Sequence, residues 1–211
     1  MTSVWQFLTS GDIFMFFIAL CSLLSFGVIV FKALDLRRGS VMPESLVDVL
    51  SHPEVGAAHL RQAIAVGDST LARVARSLLA SKPATRDDAS QTVEAAAREE
   101  ILELERGISV LEVVITIAPL LGLLGTVSGL VSVFGVLGTS GGEAPDPRQL
   151  AVGISEALNT TIAGLTVAIY TVVAHSFFTR KVERLAVRME SIMGQTLVTL
   201  YAKNSAALSG G

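Results

Sequence analysis

The feature that most constrains this chain is a set of three long stretches without a charged side chain: Ile13 to Phe31, Val113 to Gly142 and Ala157 to Thr179. Each comes to about 20 residues or more, the length a helix needs to cross the hydrocarbon of a bilayer. Inside hydrocarbon every backbone N–H and C=O must be bonded within the protein, so such stretches are helices. Composition agrees. Apolar residues are 51% of the chain and charged residues only 17%, against about a quarter in average soluble domains. Aromatic residues are 6% and glycine is 18 of 211, so the apolar character comes from aliphatic and small side chains. The first stretch reads as a retained span, because no basic residue precedes it and no small-x-small cleavage site stands between it and Lys32.

Several chemistries are disfavoured at once. The formal net charge is -3, which speaks against a nucleic-acid surface. Cys21 stands alone, so neither an intrachain disulfide nor a cysteine-based zinc cluster is available. His52, His59 and His175 are scattered and make no metal-ligand spacing. There is no HExxH, no nucleophile elbow and no Cys/His pairing, so neither an enzyme nor a cofactor is expected.

Between and after the apolar stretches the chain has ordinary polarity. Pro43 falls where a first helical turn tolerates it. Leu71, Val74, Leu78 and Leu79 recur at helical spacing. Lys82-Pro83-Ala84-Thr85 breaks the chain, and Asp87 or Asp88 is expected to cap the charged helix that follows. That helix is expected to run on into the second span, with Gly107 its weak point. The tail from Val182 to about Leu208 is amphipathic, with Leu185, Met189, Ile192 and Leu200 set among Arg184, Arg188, Glu190 and Lys203.

Charge orients the chain. Lys32, Arg37 and Arg38 follow the first span, and Arg180, Lys181, Arg184 and Arg188 follow the third. Of the 16 Lys and Arg residues only Arg148 falls on the other side. The positive-inside rule makes the basic side cytoplasmic. The expected organisation is an all-α membrane protein with spans at 13–34, 108–137 and 153–179. Segments 1–12 and 138–152 are then periplasmic, and 35–107 and 180–211 are cytoplasmic helical regions. Lipid is a partner by necessity.

The spans are not alike. The first, with Phe14, Phe16, Phe17, Leu20, Leu23, Leu24 and Val28, looks lipid-facing and could serve as an anchor. The second places Gly125 and Gly129 four apart, with Gly122 close by on the helix. The third places Thr160, Gly164 and Ala168 at the same spacing. Small residues let helices approach closely where apolar burial supplies no driving force, within one chain or between copies. Pro119 removes one backbone hydrogen bond from the second span and can kink it.

Ionisable and hydroxyl groups are then few. Glu156 stands just outside the third stretch, where a carboxylate either faces a cavity or partner or caps an interfacial turn. Glu112 and His175 read as interfacial, Glu112 in reach of a base such as Arg106. Thr126 and Thr161 are mid-span hydroxyls that can donate and accept without a charge penalty, or simply bond the preceding turn. Glu156 and Thr161 stand about 140° apart on a helix, whereas Thr160 is nearer the Glu156 face. No span holds an Asp, Glu, Lys or Arg in its middle. An ion path would therefore take its titrating group from another protein.

Two segments carry a resemblance. Ala118-Pro119-Leu120-Leu121-Gly122-Leu123-Leu124-Gly125-Thr126-Val127-Ser128-Gly129 resembles the second-span signature of the MotA/TolQ/ExbB proton-channel family. Gly153-Ile154-Ser155-Glu156-Ala157-Leu158-Asn159-Thr160-Thr161-Ile162-Ala163-Gly164-Leu165 resembles the third-span signature, in the expected order and separation. Three spans with an outer N-terminus resemble the ExbB/TolQ branch, while the segment 39–107 carries no signature. The resemblance implies a pentamer in the bacterial inner membrane around the transmembrane helices of an ExbD- or TolR-like single-span partner, whose aspartate carries the proton. It implies that Thr126 and Thr161 line the pore near that aspartate, with Glu156 at its outer end and Thr160 as a secondary candidate. Energy would pass through a TonB- or TolA-like protein to outer-membrane transport, or to envelope maintenance if the chain is TolQ-like. A non-transporting membrane scaffold is the reading of a different class.

Overall fold

The computed structural model describes residues 13–36, 41–51, 64, 67–81, 83–139 and 147–209, with side chains outside 136–139 and 203–209. The expected outer N-terminus, the tip of the outer loop at 140–146, and Arg37, Arg38, His52 and His59 lie outside these. Among the described residues the regular structure is helical. The helices are α1 (Ile13–Asp35), α2 (Glu44–Ser51), α3 (Thr70–Ser81), α4 (Arg86–Glu105), α5 (Ile108–Thr139) and α6 (Pro147–Ser209). Three of them, α1, α5 and α6, are long and apolar enough to cross a membrane. The third span and the amphipathic tail are thus one helix, because nothing between Thr179 and Val182 breaks the 3.6-residue pattern.

The chain divides into two compact units, Met1–Phe31 with Gly107–Phe177, and Lys32–Arg106 with Phe178–Gly211. In the first, α1, α5 and the first part of α6 meet around Ile18, Val114, Ala118 and Val167, with Cys21, Leu121, Ala163 and Tyr170 packed against them. The core is thin. Phe16 is 65% exposed, Leu23 70%, Val131 66% and Val173 66%. So much large apolar surface is stable only against lipid or protein. Pro119 sits inside α5 without ending it. The first span is more than an anchor. Ser25 is fully buried, and its hydroxyl lies 2.7 Å from the Tyr170 phenol and donates to Ser22 O at 3.0 Å. The phenol also reaches Ser22 Oγ at 3.1 Å. These hydroxyls tie α1 to α6, where an unsatisfied polar group would be costly.

In the second unit, Leu71, Val74 and Leu78 are buried, as their spacing predicts. Along α6 the buried stripe is Phe178, Val182, Leu185, Met189, Ile192, Met193 and Leu197. Thr196 donates to Leu50 O at 3.0 Å, and the Tyr201 phenol donates to Pro83 O at 3.1 Å. Between α3 and α4, Arg73 holds Glu100 in a fork, Nε to Oε1 at 2.7 Å and Nη2 to Oε2 at 2.5 Å. The hydrogen bond to Glu100 is the main reason that the guanidinium titrates above its ordinary value, desolvation opposing it. Thr85, not Asp87 or Asp88, is the N-cap of α4. It bonds Asp88 N at 3.1 Å while the Asp88 carboxylate accepts from Thr85 N, a capping box. Helix α4 also stops short of the second span. Gly107 has φ 88, a left-handed backbone that glycine adopts without strain, and α5 restarts beyond it. Arg106 bonds Glu103, and Glu112 is exposed. Lys32, at the end of α1, is only 2% exposed. Its ammonium donates to Asp35 Oδ2 at 2.9 Å and to Leu104 O at 3.1 Å, one of the last carbonyls of α4.

Candidate functional site

The glycines of α5 decide how closely it meets α6. A Cβ on Gly122 would stand 3.0 Å from both Thr160 O and Thr161 Cα. One on Gly125 would stand 2.9 Å from Thr160 Cβ, and one on Gly129 2.8 Å from Ala157 Cβ. From the other side, Gly164 leaves no room for a Cβ beside Ala118 O, and Gly153 none beside Val133 Cγ2. The paired numbers rise on one helix as they fall on the other, so the two helices are antiparallel. Four of the glycines singled out in the sequence (Gly122, Gly125, Gly129 and Gly164) therefore form one contact within the chain. Pro119 lies one residue beyond Ala118, whose carbonyl rests against Gly164.

That close approach brings two hydroxyls together. Thr126 Oγ1 and Thr161 Oγ1 are hydrogen-bonded to each other across the helix pair. Thr161 Oγ1 also donates to Gly122 O at 2.9 Å. Thr126 Oγ1 lies 3.1 Å from the same carbonyl and 3.2 Å from Ala157 O. Back-bonding to the preceding turn and a bond across to the neighbouring helix are both present at Thr126. Each hydroxyl has one proton and two lone pairs. The nearby acceptors outnumber the two protons, so both protons are engaged while lone pairs on the pair remain open. The pair is half-buried. It can accept a proton donor such as a neutral carboxylic acid. It can serve a carboxylate only by withdrawing a proton from a backbone carbonyl.

The remaining site candidates lie differently. Thr160 is 3% exposed, and its hydroxyl donates to Ala157 O at 2.5 Å, beneath Gly125. It belongs to the helix contact. Glu156 is exposed, next in sequence to Ala157 at the start of that contact. Ser22, Ser25 and Tyr170 form a second intramembrane polar group that sequence reading passed over. The Ser22–Ser25 spacing of one helical turn was the available signal. Among the described residues no group of His, Cys, Asp and Glu is placed to hold a metal ion.

Comparison with known proteins gives the same answer as the two motifs. The model of the MotA/TolQ/ExbB proton channel family matches residues 64–191, more than half of the chain. A Synechocystis biopolymer transport protein named ExbB-like 3 is 32% identical over 162 residues, 74% of this chain and 76% of that protein. The ExbB-like 1 protein of the same organism is 49% identical over 79 residues, 37% of this chain but only 31% of its own length. The biopolymer transport protein ExbB of Helicobacter pylori is 41% identical over 85 residues, 40% of this chain and 57% of that protein. The Tol-Pal system protein TolQ of Haemophilus influenzae is 36% identical over 97 residues, 46% of this chain and 39% of that protein. Apart from ExbB-like 3, then, the chain spans less than two thirds of these relatives. On the family match and the ExbB-like 3 alignment together, the chain belongs to the MotA/TolQ/ExbB proton channel family.

Proposed function

We propose that this chain is an ExbB-like subunit of a proton-driven motor in the bacterial inner membrane. Several copies, five by family resemblance, surround the spans of an ExbD-like partner that supplies a titratable aspartate. The N-terminus and the turn between α5 and α6 face the periplasm, and the basic segments face the cytoplasm. Proton-motive force of about 2.3 kcal/mol per charge per 100 mV is the energy source. A TonB-like protein passes the work to outer-membrane transport.

The observation that carries this reading is the Thr126–Thr161 hydroxyl pair, in a chain whose spans bear no charge at mid-depth. The pair accepts readily from a protonated aspartate and serves the ionised form less well, since its two protons are already shared among the hydroxyl–hydroxyl bond and the carbonyls of Gly122 and Ala157. It therefore favours the neutral state during passage. Release to the cytoplasmic side restores the charge. Glu156, exposed just before the uncharged stretch of α6, would collect cations at the outer entrance.

Thr161→Val and Thr126→Val keep the volume and remove the hydroxyl. Loss of about 1.5 kcal/mol of hydrogen bonding to the aspartate corresponds to roughly a tenfold slower partner-dependent proton flux in proteoliposomes. Thr161→Ser restores the hydroxyl and the flux. Normal flux in both valine variants, with the complex assembled, refutes the pore-threonine assignment and leaves a scaffold. The TolQ likeness supports a second reading, in which the partners are TolR- and TolA-like and the output is envelope maintenance. Complementation of strains lacking one system or the other separates the two.

A further inference from the structure

In the second unit, large apolar side chains are exposed at few places among the described residues: Leu34 at the end of α1, Leu102 on α4, and Val187 and Val198 on α6. Leu102 and Val187 are each 67% exposed and each lies among charges. One helical turn to either side of Leu102 stand Arg98, Glu99, Glu105 and Arg106. The two guanidiniums are held by this chain's own carboxylates, Arg98 by Glu94 at 2.8 Å and Arg106 by Glu103 at 3.1 Å. The outward face is left acidic, through Glu99 and Glu105. Val187 lies on an open face of α6 beside Glu183, Arg184, Arg188 and Ser191. Arg180, Arg184 and Arg188 repeat every fourth residue beside it, a basic stripe that outweighs Glu183 and Glu190.

We infer that the Leu102 face of α4 docks on the Val187 face of α6 in a neighbouring copy of this chain. Three observations favour a second copy as the occupant. The patches are complementary in charge, with a net of three negative charges over Glu94–Arg106 (five Glu against two Arg) and a net of two positive over Arg180–Glu190 (four basic against two Glu). Each presents an isolated apolar side chain, Leu102 on one and Val187 on the other, and the arginine stems beside Val187 themselves cover apolar surface. Both also stand close in sequence to a membrane segment, Leu102 just before α5 and Val187 just after the uncharged stretch of α6, so copies in one bilayer carry them near the same face. We take the contact as head-to-tail. It then leaves one face of each kind free in any open chain and closes a ring, whereas reciprocal pairing of the same two faces would stop at a two-fold dimer. The inference rests on the oligomeric reading above and names the surfaces that assemble it.

The test is disulfide trapping in membranes with the otherwise intact chain and its coexpressed single-span partner. Cys21→Ser removes the background thiol, and Leu102→Cys and Val187→Cys are introduced singly and together. The double variant is expected to give a ladder of dimer and higher bands under mild oxidation, and neither single variant a dimer. Adding Arg184→Glu with Arg188→Glu is expected to reduce the ladder at least fivefold, and adding Glu99→Arg with Glu105→Arg as well to restore it. Native mass spectrometry of the same preparations separates the two levels of the argument. An oligomer without the ladder overturns the docking surfaces and leaves the proposed function standing. A monomer overturns both. A dimer without higher bands in the double variant means reciprocal two-fold pairing, and dimers in either single variant mean that like positions meet; either overturns the head-to-tail arrangement.

Discussion

Gly164→Ala is the smallest change that should pry α5 from α6. The added Cβ would fall inside contact distance of Ala118 O, at 3.3 Å from Ala118 C and 3.2 Å from Gly122 Cα. All three atoms are backbone, so no side chain can rotate out of the way, and the helices must separate by about 1 Å to restore ordinary contact. Across the same interface Thr161 Oγ1 bonds Gly122 O at 2.9 Å and Thr126 Oγ1 bonds Ala157 O at 3.2 Å. Stretched by that amount, both pass the limit of a useful hydrogen bond. Overpacking costs about 1–3 kcal/mol, and the two interhelical bonds together contribute about 1 kcal/mol in a membrane protein. Alanine returns about 1 kcal/mol through its better helix propensity. The net loss is about 2 kcal/mol. Gly194→Ala is the internal control, because nothing lies within 4 Å of its added Cβ. It should gain up to about 1 kcal/mol from the same propensity. Reversible unfolding of both variants in mixed micelles, followed by helical circular dichroism, reads the difference. If Gly164→Ala is as stable as the parent, or moves with Gly194→Ala, the close packing of α5 on α6 and the threonine geometry built on it are wrong.

Three further outcomes follow from single residues. Thr179 has a buried hydroxyl that meets no hydrogen-bond partner among the described residues, so Thr179→Val should raise the thermal midpoint, by the equivalent of about 1 kcal/mol. Lys32→Met should cost about 2 kcal/mol in the same scan, because Leu104 O loses a charge-assisted bond made by an ammonium only 2% exposed. Glu100→Gln should cost about 1 kcal/mol at low salt and less at high salt, as Arg73 is 39% exposed and partly screened. The Arg73 guanidinium, raised above its ordinary value by Glu100, gives a contribution present below that value and lost only as pH rises past the folded one. Urea titrations should therefore find the Arg73 part of this difference constant through the physiological range.

Much of this architecture could be read from the sequence, for a reason that is physical rather than statistical. Hydrocarbon imposes one length and one secondary structure on an uncharged stretch, so α1, α5 and the first part of α6 were legible from charge alone. The small-residue spacing of Gly122, Gly125, Gly129 and Gly164 pointed to close packing but could not say against what. That depends on the register of α5 on α6, which no single helix encodes. Thr160 illustrates the limit. Its angular position suggested the Glu156 face, yet register sets its side chain beneath Gly125. Lys32 served as a topology marker, and its burial against Leu104 O depends on where α4 ends. That end was itself misplaced, since an isolated glycine in a helical pattern costs only about 1 kcal/mol and need not end the helix, and the positive φ at Gly107 decides. The cap of α4 moved from aspartate to Thr85 by the reciprocal bonding with Asp88, a pattern that Thr85-Arg86-Asp87-Asp88 only approximates, with aspartate where glutamate is usual.

The hydroxyl tie between α1 and α6 has a spectroscopic consequence. The chain contains only two tyrosines, and they fall in different units. Tyr170 bonds Ser22 and Ser25 in one, and Tyr201 bonds Pro83 O in the other. Replacing both with 3-fluorotyrosine gives two fluorine nuclei whose shifts depend on separate hydrogen bonds. Release of the first span from α6 would move one resonance, and loosening of the α6 tail from the Pro83 turn would move the other. Working motion in the two units could thus be followed independently in one sample, in lipid, without attaching a label.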